Sequence, residues 1–389
     1  MISNGLCPST ADRIRGSLVG GAAGDALGYA IEFQSEASIF SRYGAEGITS
    51  YEYDTHRGCA LFSDDTQMTL FSAAGILAAD TARAAGREDT SLLKYVCRAY
   101  LDWLKTQDYA GFRFRSRRDL QIPNGVSWIL DIPELFSLRA PGNTCLASLR
   151  TRAKAAETDD FIGTPVNNSK GCGGVMRTAP AALRYLPGVN TALTLPEVDL
   201  ISAQMAAVTH GHPLGYLPSA VINHVLSRIL TETGQIDLKA YVLDARETVF
   251  ALFAGNPGLP VLIGLIDRAV LLSENDLPDL DNIHRLGEGW VGEETMAIAL
   301  YCVLRYPSDF SKCLQTAVNH RGDSDSTGAV AGNLAGAVTG YDAIEEKWKT
   351  GLELLPVLLE IADDLASPVP ADLEAAPEWK AKYTEMRRP

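Results

Sequence analysis

The sequence predicts an all-α protein. Three observations carry that expectation. Apolar residues recur at helical spacing along most of the chain, alternating strand patterns are scarce, and Gly, Pro and Asn signals punctuate the helical stretches. With 389 residues, 46% of them hydrophobic, the chain can bury a large core. No Ser/Gly-rich or charge-block linker divides it, so a single domain over residues 1–389 is expected.

Near the N-terminus, Gly16, Gly20, Gly24 and Gly28 recur every fourth residue, so a helix there lines one face with bare backbone. Next, "LFSDDTQMTLFSAAGIL" places Ser63, Asp64 and Asp65 just before an apolar helix. In "LLKYVCRAYLDWLKT", Leu92, Tyr95, Val96, Ala99 and Trp103 fall at helical spacing. From about 105 to 165 the pattern is more irregular, with turn signals at Pro123-Asn124-Gly125 and Pro141-Gly142-Asn143. The basic run "FRFRSRR", with Arg113 to Arg118, lies there. It reads as a solvated face, with a partner-binding loop as the alternative. "PSAVINHVLSRILTE", "LKAYVLDARETVFALF" and "EETMAIALYCVLRY" read as helices. Last, Gly328, Gly332, Gly336 and Gly340 repeat the four-residue spacing. An interior glycine costs a helix about 1 kcal/mol relative to alanine, so two such helices need compensation. Close helix–helix approach supplies it. Both helices are expected to be buried, packed either against each other or elsewhere. Mutual packing would bring Asp25 near Asp323 and Asp325.

Composition narrows the function. A net charge of -14 argues against a general nucleic-acid or anionic-membrane binder, which needs clustered Lys and Arg. It leaves room for a small anionic ligand in a local pocket. Seven scattered cysteines with no CxxC spacing suggest neither a disulfide framework nor a zinc site. The start of the chain lacks a signal-peptide apolar region, and no apolar run is long enough to span a membrane. A reduced, cytoplasmic protein is expected.

Two acidic clusters carry the chemistry. "NHRGDSDSTGAVAGN" sets Asp323 and Asp325 one residue apart, with hydroxyls around them, ahead of a small-residue stretch. Ser63, Asp64 and Asp65 make a similar group, which taken alone reads as helix capping. Read together, each cluster places a hydroxyl and two acids at the mouth of a helix. Ionised carboxylates buried without partners cost several kcal/mol, and few fixed cations lie nearby in sequence. A divalent metal neutralises them economically. Oxygen ligands from Asp and Ser point to Mg²⁺ or Mn²⁺, and two ions account for the number of carboxylates. Two other motifs fail. "GGAAGD" has no preceding strand, no GxGxxG spacing and no following GK[ST]. The Asp323 loop carries Leu334 where a calcium loop needs a bidentate glutamate.

"GSLVGGAAGDALGYAIEF", "FSDDTQM", "NNSKGCGGVMRTAP", "THGHP", "LGEGWVGEETMAIALYC" and "NHRGDSDSTGAVAGNLAGA" occur in the order found in the ADP-ribosylglycohydrolases, and over about residues 12 to 345 the chain resembles that family. The resemblance implies a single compact orthogonal helical bundle with a two-metal cleft, its catalytic domain over 12–370. It implies metal ligands at Ser63, Asp64, Asp65, Asp323, Asp325 and Ser326. Catalytic roles fall to Glu32, Asp64, Asp65 and Asp323, with Glu32 handling the proton. Asp25 matches a buried acid of the same motif, a supporting residue more than a ligand. Ser169, Lys170, Gly171, Cys172 and Gly173 match a loop that wraps a diphosphate, where backbone amides can face phosphate oxygens. Lys170 adds charge there or stands solvated. His210 resembles a ligand-contacting histidine. Gly289 and Trp290 match the segment beside the adenosine, where Trp290 stacks on adenine or serves the core. The implied activity is release of ADP-ribose from a modified protein, foremost from arginine. O-acetyl-ADP-ribose, ADP-ribosyl-serine, a modified nucleic-acid end, or a non-catalytic protein that occludes a partner are the alternatives.

Overall fold

Three glycines near the N-terminus meet three near residue 330 with nothing between them but backbone, and this contact organises the molecule. A Cβ added to Gly16, Gly20 or Gly24 would overlap the carbonyl oxygen of Gly336, Gly332 or Gly328, and the reverse substitutions would overlap in the same way. Each step of four forward on one helix matches four back on the other, so the pair is antiparallel. The mutual packing that the glycine spacing allowed is therefore the arrangement found. Asn333, buried at the contact, strengthens it by donating Nδ2 to the Ser17 carbonyl at 2.9 Å. Gly340 departs from the stripe. It caps the helix with φ +76°, donating its N–H to the Gly336 carbonyl, so its glycine serves a left-handed turn.

A computed structural model describes residues 8–110 and 125–384. Among these, sixteen α-helices form and no strand does, beyond isolated bridges such as Gly171 to Val291. The chain begins with α1 (Thr10–Tyr29), α2 (Glu36–Tyr43), α3 (Asp64–Ala84) and α4 (Leu92–Asp108). After short 3-10 turns at Trp128–Asp131 and Pro133–Leu135 come α5 (Asn143–Arg152), α6 (Pro180–Arg184) and α7 (Leu195–Ala207). The middle of the chain forms α8 (Pro213–Thr231), α9 (Leu238–Leu252), α10 (Leu259–Ser273) and α11 (Asp279–Leu286). Then follow α12 (Gly292–Arg305), α13 (Phe310–Val318), α14 (Ser324–Thr339), α15 (Leu355–Ala366) and α16 (Pro377–Tyr383).

The core is made by helices buried on nearly every face. α3 is buried from Asp64 to Ala82, and α1, α8, α12 and α14 are buried along most of their length. Amphipathic helices surround them. In α4 the buried residues include Tyr95, Val96, Ala99 and Trp103, the predicted stripe without Leu92, which is only half-buried at the helix start. α8 begins five residues before the "PSAV" start that the sequence suggested. Pro213 takes the first turn, where a missing N–H costs nothing, and the His212 ring accepts from Leu214 N. Pro218 then sits inside the helix and leaves the Leu214 carbonyl without its usual donor. Gly292 brings the start of α12 against that carbonyl. The irregular stretch resolves into the end of α4, the short turns and α5, while Arg113 to Arg118 lie outside the described residues. No helix among the described residues is long and apolar enough to cross a membrane.

Candidate active site

The antiparallel glycine pair sets the C-terminal end of α1 beside the N-terminus of α14. Glu32 follows α1 closely, and Asp323 is the N-cap of α14, accepting from Ser326 N at 3.2 Å. Asp325 also accepts from Ser326 N, at 3.0 Å. Suitable oxygens of Glu32, Asp323 and Asp325 all lie within 4.8 Å of one another. The N-terminus of α3 reaches the same place, with Asp64 and Asp65 in its first turn and Ser63 as its N-cap. Two positive helix ends thus face the acids. The resulting cleft encloses about 540 Å³, with Glu32, Asp64, Asp65, Asp323, Asp325 and Ser326 among its lining.

These carboxylates are buried together, so like charge and desolvation both oppose ionisation. Burial first, then Asp325 and its neighbours, hold Asp64, Asp65 and Asp323 well above the usual carboxylate range. Glu32 is pushed up to about 10 by burial, then by Asp325, Asp323, Asp64 and Asp25. Glu32 Oε2 and Asp65 Oδ2 are buried with no hydrogen-bond partner among the described residues. A set of hard oxygen donors, mutually repelling and partly unpartnered, fits one or more divalent cations. Protons would otherwise have to fill the cleft.

Asp25 stands one layer behind. It is fully buried, and its carboxylate accepts from Ser63 N (2.8 Å), Thr66 N (2.9 Å) and Thr66 Oγ1 (2.5 Å), holding the start of α3 against α1. Those bonds partly offset the burial and the Asp325 charge that raise it to about 7. It does not line the cleft. Ser63 does not either; its hydroxyl accepts from Asp65 N at 3.2 Å as the helix cap.

The glycine loop is more occupied than its sequence suggests. Ser169 N donates to Asn167 Oδ1, Gly171 N to Ser169 Oγ, and Cys172 N to the Trp290 carbonyl. Those three amides are spent within the protein. Lys170 pairs with the buried Glu293 and stays out of the cleft lining. Gly171, Cys172, Gly173 and His210 do line it. The Cys172 thiol is held well above its ordinary value by burial, then by the neighbouring Asp323 and Asp65 carboxylates. His210 is lowered to about 3 by burial and then by Arg177, so its ring is neutral. Gly289, at φ +84°, backs the Asp323 main chain, and a Cβ there would strike Thr327. Trp290 stands at the mouth, 40% exposed and offset-stacked on Phe33 at 6.0 Å.

Some residues of the site gave no usable signal in the sequence. The Arg139 carbonyl accepts from Asp64 N at 2.9 Å, and Gly142 N approaches Asp64 Oδ2 at 3.4 Å. Arg139 is itself held by a buried pair with Glu353, at 2.9 and 3.1 Å. The Pro141-Gly142-Asn143 turn was visible, but nothing local ties it to acids some eighty residues earlier. Phe33 follows Glu32 directly and looks in sequence like any apolar neighbour.

Among the described residues the protein is helical, and acids distant in sequence meet at helix ends in one cleft, a set of oxygen donors that fits divalent cations. The chain belongs to the ADP-ribosylglycohydrolase family, whose model it matches over residues 6–373. It is 24% identical over 351 residues to the ADP-ribosyl-[dinitrogen reductase] glycohydrolase of Rhodospirillum rubrum, covering 89% of this chain and 92% of that one. ADP-ribosylhydrolase ARH3 of Homo sapiens is 28% identical over 210 residues, covering 48% of this chain and 54% of its own length. A solved structure described as an ADP-ribosylglycohydrolase-related protein complex shares the fold, with a TM-score of 0.60 and 23% identity over 92% of this chain and 98% of that one.

Proposed function

We propose that the protein hydrolyses the N-glycosidic bond between ADP-ribose and an arginine side chain of a modified protein. The meeting of Glu32, Asp64, Asp65, Asp323 and Asp325 in one cleft, with Glu32 Oε2 and Asp65 Oδ2 unpartnered among the described residues, carries this reading. Asp64, Asp65, Asp323, Asp325 and the Ser326 hydroxyl would hold two divalent cations, Mg²⁺ or Mn²⁺, with Glu32 beside them. Bound there, the cations supply Lewis acidity and charge neutralisation at the ribose. Family membership and the relative acting on ADP-ribosyl-dinitrogen reductase support the substrate class.

The reaction breaks the bond from C1″ to the guanidine nitrogen, places the hydroxyl of water on C1″ and returns one proton to the nitrogen. Glu32 Oε2, buried and unpartnered among the described residues, would carry that proton between water and leaving group. Asp25 keeps α3 in place, so that Asp64 and Asp65 stay aimed at the cleft. The Gly171–Gly173 wall and His210 would face the diphosphate, and Trp290 with Phe33 would cover the base at the mouth.

The test is release of free ADP-ribose from an ADP-ribosylated arginine protein, with and without EDTA, beside O-acetyl-ADP-ribose and an ADP-ribosyl-serine peptide. Turnover of the arginine substrate that EDTA abolishes and Mn²⁺ restores is expected. Asp323→Ala should lose both that activity and the thermal stabilisation given by Mn²⁺. Turnover indifferent to EDTA rejects the cation reading, and preference for an O-linked substrate rejects the linkage.

A further inference from the structure

Arg177 is fully buried, and among the described residues no carboxylate pairs with it. Its Nη1 donates to the Gly173 carbonyl at 2.5 Å, with Cys145 Sγ at 3.4 Å. Its Nη2 donates to Thr209 Oγ1 at 2.6 Å, and the guanidinium lies 4.5 Å from the Tyr100 ring centre. A buried cation without a counter-ion is costly, so its position demands a reason. It stands directly behind one wall of the cleft, since Gly173, Cys145 and His210 all line that cavity.

The hydrogen bonds around Thr209 have a direction. A guanidinium can only donate, so the Thr209 oxygen accepts from Arg177. The hydroxyl has one hydrogen of its own, and His210 Nδ1, a good acceptor, lies 2.9 Å from its oxygen. Once Nδ1 accepts, the ring proton must reside on Nε2. That nitrogen lies against the glycine loop, where a Cβ on Gly171 would come within 3.2 Å of it.

We propose that Arg177 is a positioning residue: through Thr209 it fixes His210 as the Nε2–H tautomer, making the imidazole edge a hydrogen-bond donor to a phosphate oxygen beside Gly171 and Gly173. The ligand assignment rests on the ADP-ribose reading above, while the tautomer does not depend on it. Because the amides of Ser169, Gly171 and Cys172 are already engaged, a donor from the side chain has a place on this wall. The buried charge behind it adds a field that favours an anion.

Thr209→Val keeps the side-chain shape and removes the relay. Nitrogen NMR on the full chain labelled at histidine, with His210 assigned through His210→Gln, should report Nε2–H in the wild type. Thr209→Val should lose that preference and bind ADP-ribose about tenfold more weakly, the effect of one hydrogen bond to a charged group, with adenosine affinity unchanged. Arg177→Lys, checked for folding by circular dichroism, should shift the tautomer in the same direction. An Nδ1–H ring in the wild type, or a switched tautomer with unchanged ADP-ribose affinity, overturns the proposal. A correct tautomer in a protein that never binds ADP-ribose supports the relay and overturns the functional reading instead.

Discussion

Glu32 shows how one side chain couples stability to the contents of the cleft. Its carboxyl is raised from 4.5 to about 10 by burial and by four neighbouring acids. The cation-free fold therefore prefers it protonated, whereas the unfolded chain ionises it from about pH 4.5 upward. The stability it contributes is complete below about pH 4.5 and is lost as pH rises toward about 10. Asp64, Asp65 and Asp323 move the same way. The thermal midpoint of EDTA-treated protein should fall by several degrees as pH rises through this window. Glu32→Gln should flatten part of that fall, and saturating Mn²⁺ should flatten most of it. A midpoint indifferent to both pH and Mn²⁺ would remove the electrostatic case for a cation site.

At the scale of elements, the register of α1 against α14 decides where the acids sit. A Cβ at position 24 meets the Gly328 carbonyl and at position 28 the Ser324 carbonyl, and backbone cannot yield as a side chain does. Gly24→Ala should cost about 1–3 kcal/mol, read as a lower denaturant midpoint, through overpacking. It should also reduce turnover, because Glu32 then shifts against Asp323. Gly264→Ala on α10 is the contrasting case. An added Cβ there meets nothing within 4 Å, so the usual helix propensity should raise stability by about 1 kcal/mol. Equal effects of the two substitutions would mean that close approach is not what the α1 glycines provide.

Across the whole molecule, segments far apart in sequence clamp the rim of the cleft. Glu353 accepts from Arg139 and, at 2.8 Å, from Arg57, while Arg139 Nη1 also donates to the Phe62 carbonyl. Ala140 and Leu354, each directly following a member of the buried pair, are the two non-glycine residues with positive φ among those described, both at +53°. Left-handed backbone of this kind persists where surroundings over-determine it, at a cost of about 1–3 kcal/mol each. Glu353→Ala strands a buried arginine and should cost about 3 kcal/mol or more in chemical denaturation. It should lower ADP-ribose release as well, although Glu353 lies outside the cleft, because Arg139 anchors Asp64. Full activity in a folded variant would show that the strap does not hold the site.

What could be read locally was read from the chain itself. Periodicity made the helices legible, since an amphipathic or all-apolar pattern is a property of neighbours in sequence. The glycine spacing marked faces that must pack closely, and the paired acids before small-residue stretches marked helix mouths with excess negative charge. Partners are a different matter. Nothing in residues 16–28 states that their bare face meets 324–336 in antiparallel register, and only that register brings Glu32 beside Asp323 and Asp325. The same limit hid the supporting shell. Whether Asp25 faces the cleft or the α3 backbone, whether a loop amide is free or spent, and why Arg177 is buried with no acid paired to it among the described residues are settled by which atoms end up within hydrogen-bonding distance. Sequence determined which surfaces had to be buried and which charges had to be neutralised; tertiary structure decided against what, because contact between segments hundreds of residues apart depends on the geometry of the whole packed chain.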